Sequence, residues 1–109
     1  LSEEVKGFDP PPRYVLRLFV AGMTPRSQRA IANLRRICDE QLAGRVDLST
    51  IDIFQQPHLA EKHQVVAAPT LLRLEPLPVK RLIGDLSDEA RVLSGLDLPM
   101  SLRKAADGR

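Results

Sequence analysis

Residues 14–42 constrain the fold most, because they encode a buried strand and an amphipathic helix with a sharply marked junction. The run Tyr14-Val15-Leu16-Arg17-Leu18-Phe19-Val20-Ala21 is rich in β-branched and aromatic residues and stops at Gly22. Such a run predicts a buried strand. Thr24 then offers an N-cap oxygen, and Pro25 suits a first helical position, where a missing N–H costs nothing. Beyond it, Ala30, Ile31, Leu34, Ile37, Cys38 and Leu42 fall on one helix face. Arg26, Arg29, Asn33, Arg36 and Glu40 fall on the other, and Gly44 supplies a stop. Val46 to Phe54 reads as a second strand with Leu48, Ile51 and Ile53 buried. Strand, helix and strand together favour a parallel pair joined by a right-handed crossover.

The remainder is punctuated by proline and glycine. Pro57 opens a short helix carrying Leu59, Ala60 and His63, and Val65 to Leu74 is a turn feeding a strand. Pro76-Leu77-Pro78 breaks that strand, Val79 to Ile83 returns along it, and Gly84-Asp85 ends the return. Ser87 is the expected cap of a last helix carrying Val92, Leu93 and Leu96, with Gly95 either within it or as a left-handed cap at its end. The full length of 109 residues suffices for one domain with one modest core. Residues 1–12, with Pro10-Pro11-Pro12, read as an extended lead-in; residues 13–98 form the domain; residues 99–109 form a flexible polar tail.

Composition narrows the function classes. No apolar run is long enough to cross a bilayer, which predicts a cytoplasmic protein without a membrane partner. The net charge is +2, and three Phe, one Tyr and no Trp leave little for stacking on bases. No nucleic-acid partner is expected. A disulfide reductase needs an activated thiol near a helix start; the corresponding stretch here is Met23-Thr24-Pro25-Arg26. The single cysteine, Cys38, sits among apolar helix neighbours and reads as a small buried residue. A redox or stress role through Cys38 is the alternative. His58 and His63 lie five apart, off a shared helix face, and supply too few ligands for zinc. Asp88 reads as a first-turn residue opposing the helix dipole, not as the partner of Asp85 in acid–base work. No glycine-rich phosphate loop occurs. The expectation is a binding module with no catalytic residue, no metal and no cofactor. Arg26, Arg29 and Arg36 read as a solvated helix face.

The element order is α/β of the βαβαββα kind, which resembles the thioredoxin fold, and Ala68-Pro69-Thr70 resembles that fold's cis-proline turn. A more specific likeness covers Tyr14 to Leu98. It is carried by Tyr14 to Gly22, Thr24-Pro25-Arg26-Ser27, Ile51-Asp52 and Pro57-His58-Leu59-Ala60-Glu61. Ala68-Pro69-Thr70-Leu71, the block Leu77 to Asp88, and Gly95-Leu96-Asp97-Leu98 complete it. In this ordered set the chain resembles the KaiB family. The resemblance implies a non-enzymatic clock regulator that binds KaiC, a hexameric ATPase, and changes its ATPase and phosphorylation state. It also places Arg73, Lys80 and Arg81 at the ATPase contact, as surface charges around a hairpin. It further implies a second, resting fold of order βαββααβ, within a homo-oligomer (dimer or tetramer), with Pro69, Gly95 and Asp97 at the switch. A stand-alone input domain for a histidine kinase, or for another clock protein, is a further reading. Arg103, Lys104 and Arg109 stand where the cyanobacterial family has an acidic tail, and Met100 replaces an aromatic residue.

Overall fold

The computed structural model describes residues 13–42 and 44–97. The readings of residues 1–12 as a lead-in and 99–109 as a tail lie outside the described residues, as do Leu98 and Met100. Seven elements follow in order: β1 (Tyr14–Val20), α1 (Pro25–Gln41), β2 (Val46–Asp52), α2 (Pro57–Lys62), β3 (Thr70–Glu75), β4 (Lys80–Ile83) and α3 (Glu89–Gly95). They form one four-stranded sheet of order β2-β1-β3-β4. β1 and β2 are parallel, from Tyr14 opposite Val46 to Val20 opposite Asp52. β3 runs antiparallel to β1, and β4 antiparallel to β3.

The period-two alternation of the strands sorts side chains to two faces. Leu16, Leu18 and Val20 of β1, with Leu71 and Leu82, pack against Ala30, Leu34, Ile37 and Cys38 of α1 and against Val92 and Leu93 of α3. Phe19, Ile51 and Leu72 face the other way, against Leu59 of α2 and Val65. The long helix and α3 therefore share one face, and α2 covers part of the opposite one.

The first helix begins as its sequence predicts. The Thr24 side chain accepts from the Ser27 N–H, and Pro25 occupies the first turn. Gly44 adopts φ +74°, a left-handed conformation that a Cβ makes costly, and turns the chain into β2. Several boundaries shift by a residue or two from the sequence reading (β1 ends at Val20, β3 at Glu75, and β4 begins at Lys80), and two of the differences have a clear cause. β2 ends at Asp52, not Phe54, because the Asp52 carboxylate accepts the Phe54 N–H at 2.9 Å and folds the chain out of the sheet. Asp88, not Ser87, caps α3: its side chain accepts the Arg91 N–H. Ser87 N–H is already committed to the Asp85 carboxylate at 3.1 Å.

Candidate partner-binding site

The β3–β4 hairpin carries the three basic residues singled out above, and its pleat separates them. Arg73 lies opposite Lys80 and Leu72 opposite Arg81. Arg73 thus shares the α1–α3 face with Leu71, whereas Arg81 shares the α2 face with Leu72.

Arg73 is not the surface charge that the sequence suggests. It is 3% exposed. Its Nη1 donates to Leu96 O at 2.6 Å and more weakly to Asp97 O at 3.5 Å, while Nη2 donates to Pro78 O at 2.8 Å. A helix ends with carbonyls that lack intrahelical donors and carry partial negative charge. The guanidinium fork answers two needs: it caps the end of α3 and ties the hairpin loop to it. Its Nε has no acceptor among the described residues. The sequence could not show this, since a basic residue after Leu72 looks like any exposed strand position.

Arg81 makes the corresponding bond on the other face. Nη2 donates to His63 O at 2.7 Å and Nη1 to Gln64 O at 3.2 Å, at the end of α2. It remains exposed, and Lys80 is half-buried with no side-chain hydrogen bond among the described residues. The structure therefore does not gather Arg73, Lys80 and Arg81 into one patch. It leaves Lys80 and Arg81 accessible and makes Arg73 an internal strut.

Of the residues assigned to the switch, Pro69 is buried and follows Ala68 through a cis bond. Gly95 is the last residue of α3, and a Cβ there would lie 3.3 Å from Leu82 Cδ1. Asp97 takes the left-handed conformation, with φ +56°. Pro69 is remote in sequence from the other two, but Arg73, four residues downstream of Pro69, touches the Asp97 carbonyl.

The remaining titratable groups are accounted for structurally. Burial, aided by the Asp39 charge, pushes the Cys38 thiol up to about 11. At pH 7 roughly one molecule in ten thousand would carry the thiolate. Hydrogen bonds from Ser87, and then the Arg29 guanidinium, hold the Asp85 carboxyl below the usual carboxylate range. Arg29 and Arg36, read from sequence as solvated, pair with Asp85 at 3.3 Å and Glu89 at 3.0 Å and brace α1 against the start of α3. No group of three potential ligands gathers a metal site among the described residues. No described helix is long and apolar enough to cross a membrane.

Known proteins agree with this geometry. The solved N-terminal domain of Synechococcus elongatus SasA superposes with TM-score 0.65 and 27% identity, over 82% of this chain and 88% of that one. Mitochondrial thioredoxin 3 from Saccharomyces cerevisiae matches with TM-score 0.63 over 88% of each chain, at 16% identity, which shows the thioredoxin-like fold alone. The protein described as circadian clock oscillator protein KaiB of Synechococcus sp. (strain RCC307) is 52% identical over 85 residues, 78% of this chain and 77% of its own length. That of Prochlorococcus marinus (strain MIT 9312) is 51% identical over 78% of this chain and 81% of its own. The family model for the KaiB domain matches residues 17–98, from the middle of β1 to just beyond α3. A match of that extent, together with identity near one half over 85 residues, shows that the chain belongs to the KaiB family.

Proposed function

We propose that the protein is a non-enzymatic clock regulator that binds a KaiC-like hexameric ATPase and modulates its ATPase and phosphorylation state. The observation that carries this reading is the KaiB-domain match over residues 17–98, which includes the whole hairpin and α3. Two features support a binding role over redox turnover. Met23 to Arg26 puts no sulfur nucleophile at the start of α1, and the Cys38 thiol is buried with its pKa raised. In this reading Lys80 and Arg81 meet the ATPase directly, and Arg73 contributes by holding the hairpin against α3. The thioredoxin-like arrangement is the partner-binding form, and a homo-oligomeric resting form repacks the second half of the chain about Pro69, Gly95 and Asp97. The likeness to the SasA N-terminal domain favours a second reading, a stand-alone domain that engages a histidine kinase.

Sedimentation velocity with a KaiC hexamer tests the first reading. A stable complex is expected, weakened in a salt-dependent way by Lys80→Ala with Arg81→Ala, since exposed interface charges act mainly on association. Absence of a complex, together with Cys38-dependent reduction of insulin disulfides, would replace the reading with the redox alternative.

A further inference from the structure

Among the described residues, strand β4 is an open edge of the sheet. Gly84 N–H donates to Pro69 O at 3.0 Å, one rung beyond the Thr70–Ile83 pair. Hydrogen-bonded and non-hydrogen-bonded pairs alternate along an antiparallel ladder. The bonded rungs are therefore 84/69, 82/71 and 80/73, and the N–H and C=O of Arg81 and Ile83 point away from β3. Neither residue's backbone finds another partner in a loop or turn among the described residues. The Ile83 side chain is 45% exposed beside them.

This edge runs directly into a cleft of about 230 Å³ between the end of β4, the start of α1 and the start of α3. Arg26 and Arg91 line it, with Ile83, Gly84, Asp85, Ser87 and Asp88. Its carboxylates are already engaged: Asp85 accepts from Arg29 and from Ser87 N–H, and Asp88 caps α3. Its arginines are not, for neither Arg26 nor Arg91 makes an ion pair or side-chain hydrogen bond among the described residues. The Arg91 guanidinium stands close to Gly84, at the very end of the strand. Unpaired strand groups leading into a pocket with two uncommitted guanidinium groups suit one kind of occupant. An extended segment adds its backbone to the edge while its terminal carboxylate meets the arginines.

We infer that β4 and this cleft form a docking site for an extended peptide ending in a free C-terminal carboxylate, from another protein. Charge argues for a foreign partner. Antiparallel pairing of two β4 strands in a register centred on Lys80 or Arg81 would set these like charges against each other, which is unfavourable. The chain's own residues 99–109, with Arg103, Lys104 and Arg109, match the cleft in sign and not in complement. The site adjoins the proposed ATPase contact on β4: it shares the Arg81 backbone with it and extends past Ile83 to the α1–α3 end of the sheet.

An ¹⁵N NMR titration tests this with an N-acetylated Thr-Val-Thr-Val peptide, made with a free C-terminal carboxylate and as its C-terminal amide. The carboxylate form is expected to shift the amides of Arg81, Ile83 and Gly84 and the Arg91 side-chain signal. The amide form should bind at least tenfold more weakly, as should Arg91→Met toward the carboxylate form. Ile83→Pro removes an N–H that the protein's own ladder does not use. It should leave the spectrum of β1 and α1 intact and abolish the response, whereas Ile83→Val should retain it. Equal shifts from both peptides, or shifts centred away from β4, would overturn the inference. So would sodium acetate alone reproducing the full response, which would mark a small-anion pocket, or concentration-dependent broadening of the same amides without peptide, which would mark self-pairing.

Discussion

The two halves of the domain reach order by different means. From Tyr14 to Asp52 the local signals agree with the tertiary structure, apart from Leu48, which is expected to be buried and is half-buried. The apolar run is the central strand, the Thr24 cap starts α1, and the left-handed positions fall on Gly22 and Gly44. From Pro57 to Asp97 the agreement loosens. Helices α2 and α3 span six and seven residues and β4 only four. Left-handed backbone falls on Gln64, Leu86 and Asp97 as well as Gly84. Non-glycine residues resist that conformation by about 1–2 kcal/mol each. Here the ends of both helices are held by single arginines from the hairpin, Arg73 for α3 and Arg81 for α2. One half is specified by consistency between levels, and the other leans on a few long-range polar bonds. A region built in the second way can be released by breaking few contacts, which suits the half assigned to repacking.

This contrast can be broken at several points. The largest effect is expected in the first half: Leu34→Ala should cost about 3 kcal/mol, because Leu34 is fully enclosed between the sheet and α1's neighbours. Chemical denaturation should show the loss as global, with β1 and α3 probes moving together. Arg73→Met should cost less, about 1–3 kcal/mol, from carbonyls left without a donor and offset by relief of a buried charge. Its signature is location: amides of β4 and α3 should lose protection before those of β1 and α1. Arg73→Lys should behave similarly, since one ammonium cannot reproduce the fork to Leu96 and Pro78. Equal loss of protection everywhere would mean that the strut is part of the common core.

Smaller effects sharpen the same contrast. Gln64→Gly should stabilise the thioredoxin-like form by about 0.5–1 kcal/mol, since glycine removes the left-handed penalty at φ +56° but brings a more flexible unfolded chain. Thermal unfolding would measure it, and a loss of stability would show that Gln64 makes compensating contacts. Gly95→Ala should yield about 0.5 kcal/mol or less. Its helix-propensity gain of about 0.8–1 kcal/mol is partly offset because the new methyl lies 3.3 Å from Leu82 Cδ1 and must push it aside. Shortening the neighbour in a Leu82→Val background should recover more of the gain.

Legibility in the sequence follows the same division. The strand, helix and strand of the first half, their order and their buried faces were readable from apolar spacing, the Thr24-Pro25 start and the Gly44 stop. In the second half the elements themselves were readable from Pro57, the prolines at 76 and 78, and Gly84. What held them was not. Arg73 and Arg81 look alike as letters, yet one is internal and the other exposed, and only the register of β3 against β4 separates them. The cap of α3 falls one residue later than the sequence suggests because Ser87 and Asp88 are both good cap residues, and only the path of the loop decides that the Asp88 carboxylate meets the Arg91 N–H. The open backbone of Arg81 and Ile83 has no sequence signal, since it depends on which rung of the ladder is bonded.

Residue-resolved amide hydrogen exchange, on the free protein and again with a saturating KaiC hexamer, tests the central claim most directly. In the free protein, β1 and α1 amides should exchange only through global unfolding, whereas α2, β4 and α3 should open at lower free energy as one unit. With the hexamer present, protection should rise selectively in that second unit and bring it toward the level of the first. Uniform protection in the free protein, or a hexamer that changes nothing in α2, β4 and α3, would contradict the account.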